Sequence, residues 1–294
     1  MSLLAYNPDD MVVTVTADTT LAALQEQLKQ HGQWLPMDPP NPERTTIGEI
    51  VNNDLSGPWR YGRGTVRDHL LAIRVEMADG RFIKAGAPVV KTAAGYDLCR
   101  LYVGSRGELG TLREATFKVQ PVPEAEEFVE ARFSTLKDAC DFVEKMDTSI
   151  LTPVVLDLHN GPWNVGGASV PRPSGCTVVI AFAGVREEVE WQRQEVAKLA
   201  PLAASSLDYE RSFWSEDAKA GGTPALPARK VSVLPSKLFD ALKDISVPFV
   251  ARAGNGVIHY RGGPEPPKQD LPTKLMQRLK DEFDPDHKLP ARQA

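Results

Sequence analysis

Hydrophobic and polar positions follow short, regular patterns in the first 122 residues. Val12 to Thr16 is rich in β-branched residues, and Leu70 to Met77 alternates as a half-buried strand does. Apolar residues recur at helical spacing between Leu21 and His31, after side chains that can cap a helix. Residues 56–64 are rich in glycine and polar side chains and are expected to form a loop. The patterns predict strands at 12–16, 70–77, 81–84 and 111–119 and helices at 21–31 and 46–53.

A second region with its own pattern begins near Glu124. Its apolar positions switch between the two-residue period of strands and the longer period of amphipathic helices. The charged run at 208–211 is expected to be a solvated loop, and the Pro/Gly-rich stretches at 161–175 and 220–228 are expected to be surface loops. The predicted elements are strands at 128–133, 154–158, 177–182, 230–234, 249–253 and 257–260 and helices at 135–146, 187–199, 236–243 and 274–283. Their mixture within one antiparallel-looking unit indicates an α+β domain.

The composition excludes several classes of protein. The chain has 294 residues, of which 42% are hydrophobic and 25% charged, as in ordinary globular proteins. A net charge of −5, with Lys and Arg scattered along the chain, argues against nucleic-acid binding. Cys99, Cys140 and Cys176 lack the paired spacing of a zinc or iron–sulfur site and are expected to be buried, reduced thiols. We find no signal-peptide pattern and no run of roughly 18 apolar residues, so a soluble protein without a transmembrane segment is expected.

Glycine, threonine, serine and asparagine are concentrated between Thr45 and Val119. Such residues let the main chain approach a ligand closely and offer their N–H groups to it. The motif from Thr45 to Gly48 opens a predicted helix, and the N–H groups at a helix start attract anions such as a pyrophosphate. Most motifs of this kind are plain helix caps, so this one alone is weak evidence for a site.

Three further motifs follow in the same segment. The motif at 61–68 is either a loop over a bound ring system or a loop anchored locally by Arg67 and Asp68. The small residues at 91–95 would let the backbone lie against a flat ligand. The motif at 104–111 places three glycines before a strand, as expected where main chain passes a cofactor. It is not a GxGxxG turn between a strand and a helix, which excludes a Rossmann interpretation.

The order and spacing of these motifs resemble the second half of the FAD-binding domain in the family of p-cresol methylhydroxylase (PCMH) and vanillyl-alcohol oxidase. The resemblance is strong from about residue 5 to residue 123 and loose beyond, where Phe283 to Pro285 is similar to a C-terminal signature of the family. The segments that match are Thr46 to Glu49, Leu55 to Pro58, Val66 to Asp68, Lys91 to Leu98 and Gly104 to Gly110.

The resemblance implies FAD as the cofactor and an α+β fold of two domains. A truncated PCMH-type FAD-binding domain is expected at 1–122, followed by a ferredoxin-like α+β cap domain at 123–294. The resemblance assigns no catalytic residue and no metal ligand. It implies that the diphosphate or ribityl chain is met by Thr45, Thr46, Ile47 and Gly48. It implies that the isoalloxazine or adenine ring is lined by Ser56, Gly57, Ala94, Gly95, Tyr96, Gly104, Gly107 and Gly110.

The function that the resemblance implies is that of an FAD-binding subunit in a glycolate (2-hydroxy acid) oxidase- or dehydrogenase-like complex. Electrons would pass from the substrate through the flavin to an iron–sulfur partner. A second flavoprotein subunit would complete the hetero-oligomer. Such a complex would be cytoplasmic and would lie peripherally on the inner membrane through its partners.

Two departures from the family pattern leave alternatives open. The match begins after the first lobe of the family's domain, a βαβ unit that holds the pyrophosphate. Glu49 stands where the family has a second glycine, and a carboxylate repels a neighbouring diphosphate. Both departures favour a flavin-free structural or assembly subunit as the alternative. A reductase of the related cell-wall precursor type ranks last, because no motif for a nucleotide-sugar substrate is present.

Overall fold

The computed structural model describes residues 3–88, 98–161, 175–219, 228–266 and 273–291. The chain divides into two compact units. Unit 1 comprises residues 1–59, 63–122 and 269–294, and unit 2 comprises residues 60–62 and 123–268. Both combine antiparallel sheets with helices, which confirms the α+β class. Among the described residues, no helix is long and apolar enough to cross a membrane.

Unit 1 is built on a five-stranded antiparallel sheet with the order β1-β2-β6-β4-β5. The elements up to residue 122 are β1 (Leu3–Asn7), β2 (Val12–Thr16), α1 (Leu21–Lys29), β3 (Gln33–Trp34), α2 (Ile47–Asn53), α3 (Arg60–Arg63), α4 (Val66–His69), β4 (Leu70–Glu76), β5 (Phe82–Gly86), α5 (Cys99–Tyr102), β6 (Thr111–Lys118) and β7 (Gln120–Pro121). Leu21, Leu24 and Leu28 of α1 are buried in one hydrophobic core with Ile47 and Ile50 of α2. This core places α2, which begins the Thr/Gly-rich segment, directly against the sheet.

Unit 2 contains a seven-stranded antiparallel sheet with the order β11-β8-β10-β9-β13-β14-β12. Its elements are β8 (Ala125–Phe133), α6 (Leu136–Asp147), β9 (Val155–His159), β10 (Cys176–Gly184), α7 (Arg186–Ala197), β11 (Leu202–Ala204), α8 (Asp208–Lys219), β12 (Ala228–Ser232), a 3₁₀ turn (Pro235–Lys237), α9 (Leu238–Leu242), β13 (Phe249–Arg252), a second 3₁₀ turn (Ala253–Asn255) and β14 (Val257–Arg261). Alternate residues of each strand face a large apolar core that includes α6, α7 and α9. The opposite face packs against α8 through a smaller cluster containing Tyr209 and Phe213.

Three of the differences from the sequence-based expectation concern α3, α8 and the last helix. The expected loop at 56–64 contains the short helix α3, and the expected loop at 208–211 begins the helix α8. The last helix, α10 (Thr273–Phe283), belongs to unit 1 rather than to the region after residue 122. The physical reason is a set of contacts with residues near α5: Lys280 binds the Glu108 carbonyl, and Phe283 lies edge-on to Tyr102.

Candidate functional site

The predicted diphosphate contacts lie at the start of α2, which is a seven-residue helix. Thr46 is its N-cap, and the Thr46 hydroxyl accepts a hydrogen bond from the Glu49 amide. The Glu49 carboxylate in turn accepts the Thr46 amide at 2.8 Å, which completes a capping box. The Thr45 hydroxyl donates to the Pro40 carbonyl at 2.7 Å.

The next amides of α2 also have partners within the protein. The Ile47 amide donates to the Thr19 carbonyl at 2.8 Å, and the Gly48 amide donates to the Ala17 carbonyl at 2.7 Å. A methyl group added at Gly48 would lie 3.1 Å from that Ala17 oxygen, so close packing against Ala17 accounts for this glycine. The N–H groups of the first turn therefore hold α2 in the fold. The implied diphosphate would not receive them as hydrogen-bond donors without a rearrangement.

A polar cavity of about 330 Å³ lies beside this helix start. Among the described residues that line it, Arg44 is cationic and exposed, and Glu49 is acidic. Asn41, Thr45, Asn53 and Leu55 line the remainder. The volume is at the lower end of the range for small-molecule sites, so the cavity suits one polar part of a large cofactor rather than the whole molecule.

Ser56 and Gly57 follow α2 and turn toward Asp38. The Asp38 carboxylate accepts the amides of Gly57 and Trp59 at 3.1 Å each. A methyl group at Gly57 would lie 2.0 Å from the Asp38 carbonyl oxygen. Gly57 is buried and is required by this internal contact.

The loop from Gly104 to Gly110 runs along the other end of α2. The Gly104 amide donates to the Val51 carbonyl at 2.9 Å, and the Arg106 amide donates to the Asn52 carbonyl at 2.7 Å. Left-handed backbone recurs along this loop, with φ of +78° at Gly104, +56° at Arg106 and +75° at Gly107. The conformation of the loop therefore depends on its glycines and on these two hydrogen bonds to α2.

Gly104 and Gly107 leave space in front of the main chain. A methyl group at Gly104 would find its nearest heavy atom at 3.7 Å, and one at Gly107 would find it at 3.9 Å. Gly110 is different, because a methyl group there would lie 2.4 Å from Val75 Cγ1. Ser105 Oγ, between the first two glycines, is buried and has no hydrogen-bond partner among the residues that the structure describes.

These observations test whether the chain fits the flavin that the resemblance implies. An unpartnered buried hydroxyl calls for a polar partner, and Gly104 and Gly107, on either side of Ser105 in the sequence, each leave room for a small group beside the main chain. This part of unit 1 therefore fits a polar, closely packed ligand, whereas the start of α2 is satisfied internally. The seven residues of α2 separate the two places by about 10 Å along the helix axis. Ala94, Gly95 and Tyr96 lie outside the described residues.

Unit 2 contains a buried polar network that the sequence did not indicate. Arg252 of β13 forms ion pairs with Asp157 of β9 and Glu210 of α8, and all three side chains are buried. Tyr209 donates to Asp157 Oδ2 at 2.6 Å, and Trp214 donates to Glu210 Oε1 at 2.6 Å. The expectation of a solvated loop at 208–211 was wrong, because Tyr209 and Phe213, four residues apart, fix α8 on the sheet.

Burial perturbs the pKa values of Asp157 in this network and of two histidines, His159 and His259, in the same sheet. Burial raises the pKa of Asp157 to about 6, although Arg252 opposes the shift. Burial lowers the pKa of His159, which stacks on Tyr209 at 5.1 Å between ring centroids, to about 3, so the imidazole is neutral at pH 7. Burial likewise lowers the pKa of His259 to about 3. The described residues contain no group of three or more His, Cys, Asp or Glu side chains arranged to hold a metal ion.

Comparisons with known proteins agree with the resemblance to FAD-binding proteins. A family model described as an FAD binding domain matches residues 1–86. Glycolate oxidase subunit GlcE of Escherichia coli (strain K12) is 42% identical over 121 residues, which are 41% of this chain and 35% of that protein. Glycolate oxidase subunit GlcD of Bacillus subtilis (strain 168) is 24% identical over 87% of this chain and 60% of its own length. The chain thus spans between about a third and three fifths of these two relatives.

A third relative and a solved structure extend the similarity. D-lactate dehydrogenase [cytochrome] 1, mitochondrial, of Saccharomyces cerevisiae is 33% identical over 95% of this chain and 53% of its own length. A structure of alkyldihydroxyacetonephosphate synthase superposes with a TM-score of 0.70 and 20% identity, over 97% of this chain and 63% of that one. That superposition supports the fold alone. These similarities relate the chain to FAD-binding proteins of the PCMH type, and FAD is the cofactor that they indicate.

Proposed function

We propose that this chain is the FAD-binding subunit of a glycolate oxidase-like complex, which oxidises a 2-hydroxy acid. The match to an FAD binding domain and the similarity to subunits named GlcE and GlcD support the proposal. Because the chain spans only part of these relatives, the activity, the substrate and the partners all belong to the proposal.

The observation that carries the proposal is the loop from Gly104 to Gly107. Two glycines there leave the main chain accessible, and the Ser105 hydroxyl between them is buried without a described partner. Under the proposal, Ser105 hydrogen-bonds a polar atom of the cofactor, and the two glycines allow close approach. Thr45 and the other side chains that line the neighbouring cavity would contact a second polar group of the cofactor. Ala94, Gly95 and Tyr96 remain the expected contacts of its isoalloxazine or adenine ring.

The chemistry requires two electrons and two hydrogens to leave the substrate as a 2-hydroxy acid becomes a 2-oxo acid. When bound, FAD supplies the acceptor for the hydride from C2. The hydroxyl proton needs a base, which the proposal places in a second flavoprotein subunit, while this chain holds and orients the cofactor. In the proposed complex, an iron–sulfur subunit would receive the electrons. The proposed complex is cytoplasmic and meets the inner membrane through its partners.

A second candidate is a flavin-free structural subunit of the same complex. The capping box at the start of α2 favours it, because Glu49 already occupies the position that an anion would take. The amides of Ile47 and Gly48 are also engaged. Under this candidate, the glycines of unit 1 serve only the fold.

The deciding experiment is a titration of the purified chain with FAD, followed by visible absorbance and by quenching of FAD fluorescence. The proposal expects saturable binding that perturbs the flavin spectrum. Failure to perturb the spectrum and failure to quench, even with FAD in excess, would overturn the flavin function of this chain. Capture of the two partner subunits by such a colourless chain would then support the structural candidate.

Two variants test whether FAD binds at the Gly104–Gly110 loop. Gly107→Ala adds a methyl group to the accessible space and is expected to weaken FAD binding by about tenfold, which is 1.4 kcal/mol. Gly80→Ala is the matched control, because Gly80 has φ of +84°, also has space for a methyl group and lies in the turn between β4 and β5. Its FAD affinity should equal that of the wild type. Equal losses in both variants would assign the effect to backbone strain and not to a ligand at the loop.

A further inference from the structure

The helix α10 carries a lysine in an unusual environment. The Lys280 side chain is buried, although Lys is almost never buried without a partner. Its Nζ donates to the Glu108 carbonyl oxygen at 3.0 Å and to Asp284 Oδ2 at 2.7 Å. Glu108 belongs to the glycine-rich loop, so this lysine joins the last helix to the candidate cofactor loop across 172 residues of sequence.

Asp284 holds the Lys280 ammonium group in place. Its side chain is buried, and it accepts the amides of Lys288 and Leu289 at 2.8 and 2.9 Å. Burial alone would raise the pKa of Asp284, but the hydrogen bonds from Lys280 and from these two amides lower it to about 2. The carboxylate is therefore ionised at neutral pH, and its position is set by groups on both sides.

The loop is held at two places. Toward its start, the amides of Gly104 and Arg106 bind carbonyls at the end of α2. Toward its end, the Glu108 carbonyl is bound by Lys280. Left-handed backbone at Gly104, Arg106 and Gly107 makes the loop conformation unfavourable in isolation, so it persists only where the surroundings impose it.

A buried ion pair contributes little to the free energy of folding, because replacing it with an apolar pair of similar volume often leaves stability unchanged or raises it. An ammonium group differs from an apolar group in one respect that matters here, since it binds a carbonyl oxygen in a fixed direction. We propose that Lys280, oriented by Asp284, is a positioning residue that holds the Gly104–Gly110 loop in the conformation that receives FAD. This inference rests on the proposed function and assigns the C-terminal helix a part in it.

The test compares Lys280→Met with Lys280→Arg and with a matched control, Lys274→Met, at an exposed position of the same helix. The first readout is hydrogen–deuterium exchange of the full chain without FAD. In Lys280→Met, exchange in the peptide containing residues 104–110 is expected to rise at least tenfold, while exchange in β2 stays at the wild-type rate. Lys280→Arg should restore most of the protection, and Lys274→Met should change nothing.

The second readout is the FAD dissociation constant, which is expected to rise about tenfold in Lys280→Met and to recover in Lys280→Arg. Unchanged exchange at 104–110 would overturn the inference, as would a uniform rise throughout unit 1, which would make Lys280 a general stabiliser. Loosened exchange with unchanged FAD affinity would also overturn it. A wild-type chain that binds no FAD would overturn the proposed function, and the exchange data alone would then decide whether Lys280 holds the loop.

Discussion

The buried carboxylate of Asp157 makes the stability of unit 2 depend on pH, and the Asp157→Asn variant isolates this dependence. Arg252, Glu210 and Tyr209 surround the group. Its pKa rises from an ordinary 3.8 to about 6, mainly because burial disfavours the charged form. The folded protein therefore keeps a proton that the unfolded chain releases between about pH 4 and pH 6.

The sign and size of the effect follow from this shift. A raised pKa contributes stability that is fully present below pH 3.8 and is lost as the pH rises through about 6. A shift of this size corresponds to about 3 kcal/mol in the free energy of unfolding. Asparagine does not titrate. The free energy of unfolding of Asp157→Asn minus that of the wild type should thus shift by about 3 kcal/mol in favour of the variant between about pH 4 and pH 7.5.

The assay is urea-induced unfolding of both proteins at several pH values, since the difference cancels the titrations that they share. Asp141→Asn provides the control, because Asp141 pairs with Lys137 on the surface and the change should stay within about 0.5 kcal/mol. A difference between Asp157→Asn and wild type that is independent of pH would refute the raised pKa. A shift in favour of the wild type at higher pH would show that attraction to Arg252 outweighs burial.

Three further substitutions test the packing of unit 1. Gly57→Ala should destabilise the protein by roughly 1–3 kcal/mol in urea unfolding, because the new methyl group would meet the Asp38 carbonyl at 2.0 Å. Glu49→Ala should cost about 1 kcal/mol by the same measurement, since Thr46 loses the reciprocal half of its capping box. Phe117→Ala should lower the thermal midpoint strongly and cost roughly 3–5 kcal/mol, because this fully buried ring lies in the core of the sheet.

Matched variants distinguish the steric clash, the lost helix cap and the core cavity from a nonspecific loss of stability. Gly184→Ala is the matched change, because Gly184 has no left-handed backbone and its new methyl group would meet its nearest atom, Glu188 Oε2, only at 3.6 Å; a cost equal to that of Gly57→Ala would argue against the clash with Asp38. Glu49→Gln keeps an acceptor at the same place and should retain most of the cap. Phe117→Leu leaves a smaller cavity and should lose less stability than Phe117→Ala; equal losses would contradict the cavity explanation.

Much of the fold was predictable because local signals agree with tertiary packing. Thr46 and Thr135 cap α2 and α6 where the sequence predicts those helices to begin, and the alternation over 70–77 yields the interior strand β4. The helix α8 was missed because charged residues at its start conceal the apolar pair Tyr209 and Phe213. The spacing of that pair was the available signal.

The candidate site was less predictable, for a physical reason. The motif at 45–48 is visible in the sequence, but its amides bind carbonyls of Ala17 and Thr19, about thirty residues away, and only tertiary structure brings these together. Glu49 was considered only as a repulsive charge, although Thr46-x-x-Glu49 is a capping-box pattern that the sequence already shows. Lys280 and Asp284 have the spacing of an ordinary surface ion pair, and the tertiary contact of Lys280 with the Glu108 carbonyl is not visible in the sequence.

The division of unit 1 into separate stretches of sequence has a consequence for biosynthesis. Its last helix, α10, emerges from the ribosome only after the whole of residues 123–268. Unit 2 is nearly continuous in sequence, so it can complete its sheet during translation while unit 1 still lacks α10. A ribosome that stalls shortly before residue 273 would therefore release a chain with a continuous second unit and a first unit that lacks α10.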